Sequence, residues 1–104
     1  MPRSAAPVFA ALGDETRLRL VTRLSTGGPL SIAKLTAGLP MTRQAITKHL
    51  HVMEAAGLAR AETHGRERVW RLEERRLLGA QRVLRTIAGE WDARLGRLKR
   101  FVER

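Results

Sequence analysis

Residues 31–57 read SIAKLTAGLPMTRQAITKHLHVMEAAG, and the fold turns on how this stretch is read. Ser31 is a good helix N-cap, and Ile32 and Leu35 behind it make the apolar side of a brief helix to about Ala37. Gly38-Leu39-Pro40 supplies a tight turn. Thr42 then caps a second helix running to about Ala56, and Gly57 supplies the left-handed residue that ends it, with Leu58 as the apolar contact that follows. At about 100° per residue, Ile46, Leu50, Met53 and Gly57 fall on one side of this second helix. Arg43, Gln44, Thr47, Lys48 and His51 fall on the other side or at its margins. Two short helices joined by a tight turn, the second with a polar outer face, form a helix-turn-helix, the arrangement that lays a helix in the DNA major groove.

The chemistry of that outer face agrees. Arg forks onto guanine O6 and N7, and Gln bridges adenine N6 and N7. Lys and Thr, including the capping Thr42, suit phosphates, which position a helix without reading sequence. No acidic residue occurs from Met41 to Met53, so nothing there repels a phosphate backbone. The competing reading is an ordinary solvated helix face. His49 sits beside the core stripe, where a partly buried, hydrogen-bonded role fits better than base reading. His49 and His51 lie two positions apart, about 200° round the helix, and cannot share a metal ion.

Working outward, Met1 to Ser4 are expected to be loose, and Ala5–Leu12 reads as a short apolar helix stopped by Gly13. Asp14 caps a helix over roughly 15–26, with Leu18, Val21 and Leu24 inward and Arg17, Arg19 and Arg23 mostly outward. Gly27-Gly28-Pro29 ends it. Residues 58–63 and 67–72 alternate as two strands about a His64-Gly65-Arg66 turn. Trp70 and Leu72 share the covered face, with Trp70 as core rather than ligand site. Arg60, Arg66, Arg68 and Arg71 sit in or near this hairpin. Glu62 and Glu67 could pair across it, which would make it a merely solvated hairpin. Arg66 and Arg68 are instead candidates for a narrow, negative minor groove or the phosphates beside it.

From Glu74 to Val102 a helical pattern returns. Leu77, Ala80, Leu84, Ile87, Trp91, Leu95, Leu98 and Val102 make one apolar stripe about 80° wide. Leu77 to Val102 would span about 37 Å at 1.5 Å per residue. A 104-residue chain cannot cover that stripe alone, so a second copy is expected to cover it, joined by Val8, Phe9 and Leu12. A membrane-surface amphipath is the rival, because Arg82, Arg85, Lys99 and Arg100 lie opposite the stripe.

Composition limits the alternatives. Twenty Lys and Arg against ten acidic residues give a net charge of +10, which points to a polyanionic partner. The basic excess is spread along the chain, so charge alone does not locate a site. The absence of cysteine excludes disulfides, thiolate nucleophiles and thiolate metal sites. Two Trp and two Phe are too few for a single-strand stacking platform. No apolar run suggests a signal peptide or membrane span, so a cytoplasmic protein is expected. No nucleophile, base and orienting group converge in the pattern, so an enzyme is not expected.

The order of helices, hairpin and long helix resembles the ArsR/SmtB family of small dimeric repressors. The likeness is carried by LGDETRLRLV (12–21), TRQAITKHLHVMEAAGLAR (42–60) and GRERVWRL (65–72). It implies a winged helix-turn-helix, mainly α with a small β-hairpin, dimerised through its N- and C-terminal helices. The expected layout is one domain over 1–104, with the helix-turn-helix at 31–57, the wing at 58–72 and the dimerisation helix at 74–102. Many members sense metals through cysteines in the short helix or His and carboxylates in the long one. This chain has Ser31-Ile32-Ala33-Lys34-Leu35 at the first place and no His after His64, so no metal or other cofactor is expected. The resulting expectation is a homodimeric repressor on a palindromic double-stranded DNA operator, with the effector unidentified. Two alternatives are a winged-helix protein-interaction module that does not bind DNA, and a metal sensor with a non-standard site.

Overall fold

The computed structural model describes residues 5–103, and the looseness expected of Met1 to Ser4 lies outside that range. Among the described residues the chain forms α1 (Ala5–Leu12), α2 (Glu15–Gly27), β1 (Leu30–Ser31), α3 (Ile32–Thr36), α4 (Arg43–Ala55), β2 (Ala59–His64), β3 (Glu67–Leu72) and α5 (Glu74–Val102). Local chemistry sets these boundaries. The side chains of Asp14, Ser31 and Thr42 each accept the backbone N–H three residues on, so α2, α3 and α4 all begin on a bonded cap. At the far end of α4, Gly57 adopts φ 74°. The Leu58 N–H bonds Met53 O and the Gly57 N–H bonds Glu54 O, each at 2.9 Å. This is a Schellman stop with its apolar contact, because Leu58 is fully buried.

The hairpin carries a third strand. The sheet order is β1-β3-β2, antiparallel throughout, with Leu30 opposite Trp70 and Ser31 opposite Val69. Across β2 and β3 the register runs from Ala59 opposite Leu72 to His64 opposite Glu67. The two-residue link has Gly65 at φ 65° and Arg66 at negative φ, as a type II′ hairpin requires. The expected hairpin is thus correct but incomplete. A two-residue β1 is too short to show a period of its own in sequence.

One apolar cluster joins α1, α2, α3, α4, the wing and the start of α5. Val8, Leu20, Leu35, Ile46, Leu50, Met53 and Leu58 are its fully buried members, with Trp70 close behind. Three expectations need correcting. Leu18 is half exposed and Leu20 takes its place inside. Arg17, expected outward, is half-buried on the covered face of α2. Val8, expected in a dimer interface, is wholly enclosed by its own chain and has no surface to offer a partner, whereas Phe9 and Leu12 are half-buried.

Helix α5 is covered by the rest of the chain only at its start. Ala80 and Val83 are buried, but Leu84, Ile87, Trp91, Leu95, Leu98 and Val102 are 43–72% exposed. The projecting half stretches the chain to 67 Å and gives a radius of gyration of 18.0 Å. A compact chain of this length has about 13 Å.

Candidate nucleic-acid interface

Helix α4 is held from behind by Ile46, Leu50 and Met53, none of which reaches solvent. That packing fixes which side faces out. Thr42, Arg43, Gln44, Lys48 and His51 are exposed, and Thr47 is half-buried with its Oγ1 donating to Arg43 O at 2.8 Å. The structure therefore brings together on one surface the α4 residues singled out from sequence. Arg43, Gln44 and Lys48 have no ion pair among the described residues, leaving their donors available.

The α4 N-terminus points its unbonded amides and the positive end of its dipole into the same region. Thr42 satisfies the Ala45 N–H at 3.1 Å. Lys48 and Arg43 add full charge to this field, and no acidic side chain lies in the first turn.

The wing is tied to α4 by an aromatic contact. The His51 ring meets Trp70 edge-on, with centroids 5.9 Å apart and planes at 83°. On the same strand face the Arg68 guanidinium lies 5.6 Å from the Trp70 ring centroid, a cation–π distance. His51 Nδ1 also lies 3.4 Å from Glu54 Oε1. Arg66 occupies the exposed hairpin turn, and Arg68 is exposed beside it.

Arg60 and Arg71 behave differently. The Arg71 guanidinium hydrogen-bonds Glu62 and lies 3.0 Å from Glu73 Oε1, and Arg60 Nε lies 3.7 Å from that same oxygen. No N–H of Arg71 is aligned on Glu73 Oε1, so that contact is ionic rather than a hydrogen bond. The bond from Arg71, aided by His64, holds the Glu62 carboxyl below its ordinary range, and Glu62 in turn raises Arg71. These four side chains brace the base of the wing. The pairing expected across the hairpin is real for Glu62; Glu67 sits opposite His64 without an ion pair among the described residues.

Two arginines escaped the sequence reading because it placed them outward. Arg23 Nη1 donates to Leu35 O at 2.9 Å and Ala37 O at 2.6 Å, closing the C-terminal end of α3. Arg17 reaches the last carbonyls of α1 and the ring of His49. The available signal was phase: Arg17 shares a helical arc with Leu20, Val21 and Leu24.

Comparison with known proteins agrees with this geometry. A family described as a helix-turn-helix domain matches residues 12–61. The structure of an ArsR-like transcriptional regulator from Rhodococcus sp. RHA1 is 41% identical, covers 94% of this chain and 92% of that one, and superposes with a TM-score of 0.76. The chain belongs to the ArsR family. A further match is the HTH-type transcriptional regulator YuzN of Bacillus subtilis, 43% identical over 68 residues, which are 60% of this chain and 74% of that protein. A solution structure described as the homodimeric winged helix-turn-helix DNA-binding domain of Mb0332 from Mycobacterium bovis is 20% identical. It covers 84% of this chain and 80% of that one at a TM-score of 0.66, a likeness of fold alone.

This ArsR-family chain is thus a transcriptional regulator with a helix-turn-helix DNA-binding fold, and its relatives are named regulators rather than enzymes. It has no cysteine, and no group of three or more His, Asp or Glu side chains converges among the described residues. No described helix is long and apolar enough to cross a membrane.

Proposed function

We propose that this regulator acts as a homodimeric repressor that binds an imperfect palindrome in double-stranded DNA and blocks a promoter sterically. The observation that carries the DNA-reading half is the split of α4. Its apolar side is fully enclosed while Arg43, Gln44 and Lys48 stand exposed and without ion pairs among the described residues, the one acid of that face, Glu54, lying in the last turn of α4 beside His51. In this reading Arg43 and Gln44 contact base edges in the major groove. Thr42, Thr47, Lys48 and His51 contact phosphates or the groove margin, and Arg66 and Arg68 carry the wing into the neighbouring minor groove.

The exposed half of α5 supports the dimer. Six large apolar side chains there leave roughly 100 Å² each uncovered, about 600 Å² per copy, close to the ~800 Å² per partner of a standard interface. Phe9 and Leu12 extend this face. A second copy of the same helix supplies a stripe of matching length under two-fold symmetry. Two α4 helices related by that axis would address half-sites about one helical turn apart.

A gel-shift titration with the DNA upstream of the gene tests the reading. Saturable binding at two chains per site, weakened by Arg43→Ala and Lys48→Ala, is the expected result. Absence of binding, with a protein captured through the same α4 face, would favour an interaction module instead.

A further inference from the structure

We propose that Arg17 is a positioning residue that locks recognition helix α4 to α1 through the ring of His49, so that the dimer-forming elements set the angle at which α4 meets DNA. This rests on the DNA-binding reading above and adds a device that the reading does not require. The starting observation is a charge in the wrong place. At about 100° per residue, Leu20, Leu24, Arg17 and Val21 fall within one arc of about 100° on α2, the arc turned to the core. Arg17 is the one charged residue of α2 there. A half-buried guanidinium in that position is favoured when its donors are taken, since leaving a partly desolvated charge unpaired is unfavourable.

Its donors are taken by two other elements. Arg17 Nε donates to Ala11 O at 2.6 Å, and Nη2 donates to Ala10 O at 3.5 Å. Both carbonyls belong to the last turn of α1, where a positive charge is favoured, and Ala10 O also accepts the Gly13 N–H at 3.2 Å. Nη1 lies 3.3 Å from His49 Nδ1, half-way along α4. Arg17 can only donate, so His49 Nδ1 must accept and the ring proton must sit on Nε2. Asp14 Oδ2, 3.8 Å from Nδ1, is too far to compete and is already bonded by the Arg17 N–H at 3.0 Å.

This contact differs in kind from the others made by α4. Among the described residues it is the one hydrogen bond from an α4 side chain to another helix; those of Thr47 and His51 stay within α4. Apolar packing of Ile46, Leu50 and Met53 fixes how far α4 lies from the core, but such contacts are non-directional. A fork with two prongs on α1 and one on α4 is directional and fixes the rotation of one helix against the other. Helix α1 carries Phe9 and Leu12 toward the proposed dimer face, and α4 carries Arg43 and Gln44 toward DNA.

The alternative is that Arg17 touches a phosphate directly, and Arg17→Lys separates the two roles. Lysine keeps the charge, but its single ammonium nitrogen cannot span the acceptors that Arg17 reaches from Nε, Nη1 and Nη2. Affinity for an operator duplex should fall at least ten-fold for Arg17→Lys and Arg17→Met alike, with the salt slope as in wild type. His49→Leu should fall similarly, whereas His49→Asn, whose amide oxygen replaces Nδ1 as acceptor, should stay within three-fold. The double variant Arg17→Met/His49→Leu should be no weaker than the worse single variant, because both break the same link. Measurements are made below each variant's melting temperature, with dimer mass followed by light scattering. Wild-type affinity in Arg17→Lys, a salt slope shallower by about 0.9 in Arg17→Met, or additive losses would overturn the proposal. A second readout does not depend on DNA: nitrogen NMR of the neutral His49 ring should show the Nε2–H form in wild type and lose that preference in Arg17→Met. The same tautomer mixture in both proteins would refute the lock even if DNA binding were normal. A lock seen by NMR in a protein that ignores duplex DNA would instead sink only the DNA-binding reading.

Discussion

Replacing Trp91 by alanine should separate the two copies of the chain. Trp91 is 58% exposed, and among the described residues its one cation–π contact is with Arg94, 5.8 Å from its ring centroid. A Trp side chain carries up to about 250 Å², so about 145 Å² waits to be covered. At about 25 cal/mol per Å² this is worth up to about 3.6 kcal/mol in each copy. The two-fold axis counts it twice, and incomplete coverage reduces it, leaving about 4–7 kcal/mol per dimer. Trp91→Ala should therefore weaken dimerisation by at least about a thousand-fold. Sedimentation equilibrium at micromolar concentration should move from twice the 11.6 kDa chain mass to that mass itself. The core, which does not include Trp91, should stay folded. The freed half of α5 should lose helicity, because an isolated helix of that length is marginal in water. A variant that remains dimeric, with a dissociation constant within ten-fold of wild type, would refute the assignment of this stripe to a second copy.

Further outcomes can be checked with single substitutions. Gly57→Ala places a Cβ on a residue at φ 74° and 2.8 Å from Arg76 Nε, the movable end of a long side chain. The left-handed backbone dominates, so urea denaturation should show a loss of about 1 kcal/mol, and an unchanged midpoint would contradict the stop described for α4. Arg43→Ala should alter which sequences are selected from random DNA, while Lys48→Ala should weaken all of them and lower the salt slope by about 0.9. Equal, sequence-blind losses for both would make Arg43 a phosphate contact and remove it from base reading. In acid, Glu62 is held below its ordinary 4.5 by the bond from Arg71, and Asp14 below its ordinary 3.8 by the Arg17 amide. A folded-state pKa below the unfolded one stabilises above the unfolded value, and that stability is lost as pH falls through the folded value. Melting temperature should thus hold from neutrality to roughly pH 5 and then drop, less steeply in Glu62→Gln. An equally steep drop in that variant would remove Glu62 from the account.

The parts of the fold legible in sequence were those carrying their own punctuation. Helix α4 has Thr42 before it, Gly57 after it and a clean three- and four-residue apolar repeat, so its ends and outward face both followed. The turn at Gly65 was equally plain, whereas α5 begins at Glu74 without a side-chain cap and was legible only from its apolar repeat. Helix α2 was placed correctly but turned by the wrong angle. Arg17 interrupts its buried arc, and a rule that sends charges outward prefers Leu18 to Leu20. That two α1 carbonyls and the His49 ring meet this guanidinium is a tertiary fact. Val8 was misassigned because an apolar helix gives no sign of which neighbour covers it. Strand β1 exists through its pairing with Val69 and Trp70, a tertiary fact without a local pattern. The site residues on α4 follow from its phase. The Trp70 ring that joins His51 and Arg68 depends on where the wing folds back, which no local pattern specifies.

The most direct test uses dimethyl sulfate, which methylates guanine N7 in the major groove. Methylation interference on an operator selected by this protein should block binding at guanines in two symmetric clusters about one helical turn apart. Arg43→Ala should abolish the effect at its own guanine in each cluster. Binding indifferent to N7 methylation, or interference confined to a single cluster, would contradict the claim that paired α4 helices read the major groove.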